Sequence, residues 1–215
     1  MELGEPLEAA VALDALAYAH FAAGDLHAAR RSAEESLARA RKLGRPNIVN
    51  RARVMLCLTL VVQGDVPRAE PLAREAVETA LAQGDMRKEQ HARHLLADCA
   101  LLREDFELAG TRYADAVRVA CALGDRAQTA VDLQGVAMAT AGRGQPEQAL
   151  RLGGAAAAAL ESLGAKADLS FWATLLDRHL NRAKSKLGPK GAAAWKEGGR
   201  LTLERAIESA LDGRR

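Results

Sequence analysis

Aromatic residues make up only 3% of the 215 residues. With so few Phe, Trp and Tyr, and few β-branched side chains beside them, a β-sandwich or barrel has little to fill its layers with. Long apolar runs are missing too: no stretch reaches the ~18 residues of a membrane-spanning helix. The N-terminus, MELGEPLEAAVALDALA, carries acidic residues where a signal peptide needs a basic region. Cysteine is sparse. Cys57, Cys99 and Cys121 are odd in number, widely spaced and set among apolar residues. That suits reduced, buried thiols in a cytoplasmic protein rather than a disulfide framework. Charge of one sign is lacking as well. The net charge is +2, with no basic block and with cations interleaved among anions as on solvated helix faces. Neither direct nucleic-acid binding nor a membrane partner is expected of such a chain.

The motifs of several enzyme classes are also missing. There is no nucleophile elbow, no Ser-His-Asp order and no glycine-rich dinucleotide loop. Gly153-Gly154 and the alanines after them lack the lysine that a phosphate-binding loop requires. Small residues there read instead as a place where two helices approach closely. His91 and His94 lie three apart with Glu89 nearby, but no HExxH or CxxC accompanies them. No catalytic residue, metal site or cofactor is assigned, and the chain is expected not to be an enzyme.

What is abundant is alanine, 47 of the 215 residues, within a chain that is 49% hydrophobic and 27% charged. That composition favours closely packed helices and is ample for a core. The helices are punctuated at a fixed interval. Gly24-Asp25, Gly64-Asp65, Glu104-Asp105 and Gly144-Gln145 stand 40 residues apart, and Gly44, Gly84, Gly124 and Gly164 keep the same step. Glycine supplies a left-handed cap, and Asp can open the next helix by accepting an N-terminal N–H. The spacing predicts helices over residues 5–23, 26–43, 47–62, 66–82, 86–103, 106–122, 126–141 and 146–163, then 168–187 and 203–211, with Thr202 as the last N-cap. Pro71 is expected to bend its helix locally or to delay its regular hydrogen bonding by a few residues. The glycine-richer turn Gly142-Arg143-Gly144-Gln145 is expected to be looser than the others.

Side chains keep the same phase. Ala29, Ala69, Ala109 and Ala149 coincide. So do Leu16, Leu56, Leu96 and Val136, each followed by a small residue, and so do Ser36, Ala76, Ala116 and Ala156. Small residues on facing sides let antiparallel helices approach closely. One hairpin cannot cover its own apolar face, so neighbours must stack. This pattern of Gly-Asp turn, small residue five places on, and large-then-small pair resembles the tetratricopeptide (TPR) family, although the step is 40 where the standard repeat has about 34. The resemblance implies an all-α, TPR-like α-solenoid of four helical hairpins with a 40-residue period (about 4–43, 44–83, 84–123 and 124–164) plus C-terminal capping helices over 165–215. Trp172 and Trp195 are read as closing the end of the core. The tail carries Leu187, Gly188, Trp195, Glu197, Gly198, Leu201, Thr202, Glu204 and Ala206. It is similar to the end of the TPR-like sensor region in MalT/LuxR-type and AfsR-type bacterial transcriptional regulators, relatives of the STAND ATPases, though an aromatic residue those proteins carry before the tryptophan is missing. Their nucleotide- and DNA-binding domains are not in this sequence.

In such arrays the first helix of each pair lines a concave groove. The groove candidates are Asp14 and Tyr18, Arg51 and Leu58, His91, His94 and Asp98, and Gln134, with Val11, Phe21, Val54, Val61, Leu101, Val131 and Met138 beside them. The partner expected there is a protein or peptide segment, or a small effector. Two other readings stand beside this one: a free-standing scaffold that forms a homodimer or bridges proteins, and an enzyme built around His91 and His94.

Overall fold

The computed structural model describes residues 4–165 and 170–212. The expected helix start at Asp168 and Leu169 lies outside them. The described chain is all helix, with no strand. The helices are α1 (Gly4–Ala22), α2 (Leu26–Lys42), α3 (Pro46–Gln63), α4 (Val66–Gln83), α5 (Met86–Leu102), α6 (Phe106–Ala122), α7 (Arg126–Gly142) and α8 (Pro146–Ser162). There follow α9 (Ser170–Leu176), a π-helical turn (Asp177–Asn181), α10 (Arg182–Leu187), α11 (Pro189–Gly198) and α12 (Leu203–Asp212). The chain forms two compact units, Met1–Cys99 and Ala100–Arg215.

The turns explain the helix boundaries. Asp25, Asp105 and Asp125 each accept a hydrogen bond from the backbone N–H three residues on, at 2.9, 3.2 and 3.0 Å. Asp85 does the same for Lys88 at 3.1 Å. Asp65 makes no such cap. The turn at Gly142–Gln145 is no looser than the rest. Its backbone bonds, Gly144 N–H to Ala141 at 3.0 Å and Gln145 N–H to Thr140 at 3.2 Å, match those of the preceding repeat. Gly142 is there for another reason: a Cβ would lie 2.2 Å from the Phe106 ring, so Phe106 packs flat on bare backbone. Pro71 sits in an unbroken α4. As the sixth residue of the helix it forgoes the N–H bond to the Pro67 carbonyl, and the helix continues through it.

In the first unit the two helices of a hairpin are joined by polar bonds 26 residues apart. Ser36 donates to the Ala10 carbonyl at 2.8 Å, Asn50 to the Ala76 carbonyl at 3.4 Å, and Arg53 to Thr79 Oγ1 at 3.0 Å. Close approach at these levels needs small residues, and Ala33, Ala69, Ala73, Ala76 and Ala80 are fully buried. Cys57 and Cys99 are buried and Cys121 is exposed, so one of the three thiols departs from the expectation. Burial pushes the Cys57 thiol well above its usual range, which leaves it protonated and inert.

The second unit closes on itself. Trp172 is buried, and its ring meets Tyr113 edge to face at 6.3 Å. The sequence pattern assigned no helix to residues 189–198. In fact α11 packs on α8 through glycines. A Cβ on Gly154 would fall 2.2 Å from the Trp195 carbonyl oxygen, and one on Gly198 would fall 2.0 Å from the Arg151 carbonyl oxygen. These contacts are the close approach expected of Gly153-Gly154. Gly188 turns the chain between α10 and α11 at φ 56° and ψ −129°, a region open essentially to glycine alone. Counting from Gly144, the repeat step here is 44 residues. The π-helical turn lies within this lengthened repeat.

Candidate functional site

Seven of the eight candidate residues fall in the first unit, on α1, α3 and α5. The stripe Ala10, Asp14, Ala17 and Phe21 is the buried side of α1. Asp14 is therefore a carboxylate set among apolar neighbours, and it needs a cation. Arg51 on α3 supplies one: its Nε donates to Asp14 Oδ2. The other oxygen, Oδ1, is buried with no hydrogen-bond partner. The Arg51 side chain is half exposed, so its terminal nitrogens face outward. Tyr18, one turn beyond Asp14, is 65% exposed and is the most exposed large hydrophobic side chain among the described residues. Leu58 is half-buried.

On α5, His91 is exposed and His94 half-buried. His94 Nε2 lies 3.6 Å from Asp98 Oδ2, and Asp98 is only 2% exposed. A buried carboxylate thus stands beside each of two nitrogen side chains, Asp14 beside the half-exposed Arg51 and Asp98 beside the mostly buried His94. Such backing fixes a side chain's orientation. The pair Asp14–Arg51 links positions 37 apart on successive first helices. The same offset carries Val54 to His91, which continues the row within the unit by repeat equivalence. Among the described residues, no three His, Cys, Asp or Glu side chains come together in a way that could hold a metal ion.

Gln134 is not part of this row. It lies in the second unit, is buried, and accepts a hydrogen bond of 2.8 Å from the Trp172 indole. The chain's own α9 covers it. Sequence reasoning recognised Trp172 as a core-closing residue without seeing which side chain it would cover, because the break in the 40-residue phase hid the register. A different concavity, of about 490 Å³, opens between the second helices α2 and α4. Its floor is Leu56 and Leu60 of α3, with Pro67, Pro71 and Leu72 along α4 and the Arg68–Glu34 ion pair at its rim.

Hairpins repeated at a constant step, with aligned small residues at each crossing, define a TPR-like repeat fold. Two crystal structures of nearly identical TPR-like repeats, from a "Podosopora anserina putative kinesin light chain", superpose on the chain with TM-scores of 0.65 and 0.63. Each is 16% identical in sequence; the alignments cover 99% and 100% of this chain and 99% and 100% of theirs. No known family profile matches the sequence, and no curated protein matches it. Proteins of this fold generally serve as protein-interaction scaffolds. No described helix is long and apolar enough to cross a membrane.

Proposed function

We propose that the chain is a non-enzymatic binding module that holds an extended protein or peptide segment on the α1–α3–α5 face of its first unit. The observation that carries this reading is the Asp14–Arg51 pair. An arginine anchored through Nε by a buried carboxylate keeps its two terminal nitrogens aimed outward in a fixed plane. It meets a partner at lower entropic cost than a free side chain does. Tyr18 beside it offers a large amphipathic surface, and exposed Tyr and Arg are the residue types that dominate binding energy at interfaces.

The repeat body, 1–164, would then carry the recognition face and the segment 165–215 would seal its end. The tail resemblance favours a place within a cytoplasmic bacterial regulator, where binding shifts the orientation of attached domains. Many of the residues behind that resemblance have structural work here. Gly188 makes the turn, Gly198 lies on Arg151, Thr202 caps α12 at 3.3 Å, and Glu204 pairs with Arg126 at 2.6 Å. They speak for a shared cap rather than for a shared ligand. The test uses peptides selected from a random display library against the purified chain. Tyr18→Ala and Arg51→Ala are expected to weaken binding about tenfold or more, and Arg118→Ala, on α6, to leave it unchanged. Equal affinity in both face variants contradicts the proposal.

A further inference from the structure

Most arginines of this chain are spoken for. Arg30, Arg39, Arg68, Arg93, Arg118 and Arg126 each have a carboxylate oxygen within 3.0 Å. The interleaving of charge that makes this so lapses between Asp177 and Arg200, where seven Lys and Arg face two carboxylates. That stretch carries +5 in a chain whose total is +2. Both carboxylates are engaged: Asp177 accepts from Asn181 at 3.4 Å, and Glu197 pairs with Arg151 at 2.9 Å. Of the seven cations, Lys184 lies over the Trp195 ring, 4.8 Å from its centroid. Arg178, Arg182, Lys186 and Lys190 are exposed and make no ion pair or hydrogen bond with any described residue.

Three of these form a row. Arg178, Arg182 and Lys186 are spaced four apart through the π-helical turn and α10, so they share one side of the helix. At 1.5 Å per residue, neighbours in the row stand about 6 Å apart and the row spans about 12 Å. His179, between the first two, is turned inward against the Phe106 ring at 5.8 Å. Its inward position leaves the outward side to the cations.

We propose that this row is a second interaction surface, which takes an acidic helical segment of a partner protein. None of the three cations is paired with a carboxylate among the described residues. A partner helix with carboxylates at every fourth position repeats the same ~6 Å spacing. Nucleic acid is a poorer match. Both tryptophans of the chain, Trp172 before this stretch and Trp195 within it, are engaged inside the unit, one on Gln134 and one on Gly153, so neither is available to stack on bases. A single row of about 12 Å also meets few phosphates. This surface is independent of the α1–α3–α5 face.

The experiment is fluorescence anisotropy with the full chain and a labelled helical peptide bearing Glu at every fourth position. Parallel probes are the same peptide with Gln for Glu, a short DNA duplex, and vesicles containing phosphatidylserine. The Glu peptide is expected to bind most tightly and to weaken as salt rises. The combined variant Arg178→Glu, Arg182→Glu, Lys186→Glu should lose about tenfold or more. The milder Gln substitutions at the same positions should lose less, and they keep the test open if the reversed charges disturb folding. Arg118→Glu should leave binding unchanged. The inference is overturned if the Glu and Gln peptides bind alike, if neither combined variant loses affinity, or if duplex or vesicles bind more tightly than the Glu peptide.

Discussion

Glu104 sits at φ 59°, in the left-handed region where Gly24, Gly64 and Gly144 stand at the equivalent turns. A side chain there costs roughly 1–2 kcal/mol, partly offset by the chain entropy that glycine would lose. Glu104→Gly is therefore expected to stabilise the protein by about 1 kcal/mol in urea unfolding, and an unchanged or lowered midpoint contradicts this. His179 shows a second residue-scale effect. Burial, with Arg178 next among the causes, holds its imidazole below the ordinary value of 6.5. The unfolded chain therefore takes up the proton first. The stability His179 allows is intact above about pH 7 and falls as pH drops through 6.5 toward the folded value. His179→Gln should flatten that decline in thermal melts; an identical pH profile would show that the buried ring does not titrate.

At the scale of elements, caps and crossings carry the repeat. Asp25→Ala, Asp105→Ala or Asp125→Ala removes an N-cap bond and should cost about 1 kcal/mol each. Asp65→Ala should cost clearly less, because Asp65 makes no cap bond. Equal losses across the series would mean that the caps are not what sets these turns. The α8–α11 crossing gives a sharper contrast. Gly154→Ala and Gly198→Ala push a methyl into backbone oxygen and should cost about 3 kcal/mol. At Gly199 the nearest atom to an added Cβ is 3.7 Å away, so Gly199→Ala should be close to neutral in the same denaturation assay. The sequence pattern foresaw this crossing from the small residues of α8 but not its partner. Residues 189–198, PKGAAAWKEG, have little apolar periodicity, and α11 is held by glycine contacts that no hydropathy pattern displays. Eight helices upstream were legible because Gly-Asp turns and aligned alanines mark both their ends and their faces.

At the scale of the whole molecule, the fold was readable as a repeat, whereas the site was readable only as a phase. The phase placed Asp14, Arg51 and Asp98 on first helices, but it could not show that Asp14 is buried behind Arg51. It could not show either that Gln134 is already taken by Trp172. Those facts depend on which side chains meet across helices, and a 40-residue period leaves that open. Charge balance taken over the whole chain likewise hid the unpaired row at Arg178, Arg182 and Lys186. The central claim is that a partner segment lies on α1, α3 and α5. A library-selected peptide carrying a photoreactive diazirine, irradiated with the intact chain and mapped by mass spectrometry, tests it most directly. The account predicts adducts at or beside Tyr18, Arg51, Leu58 and His91. Adducts confined to α2 and α4, around Leu72 and the cleft between those helices, would contradict it.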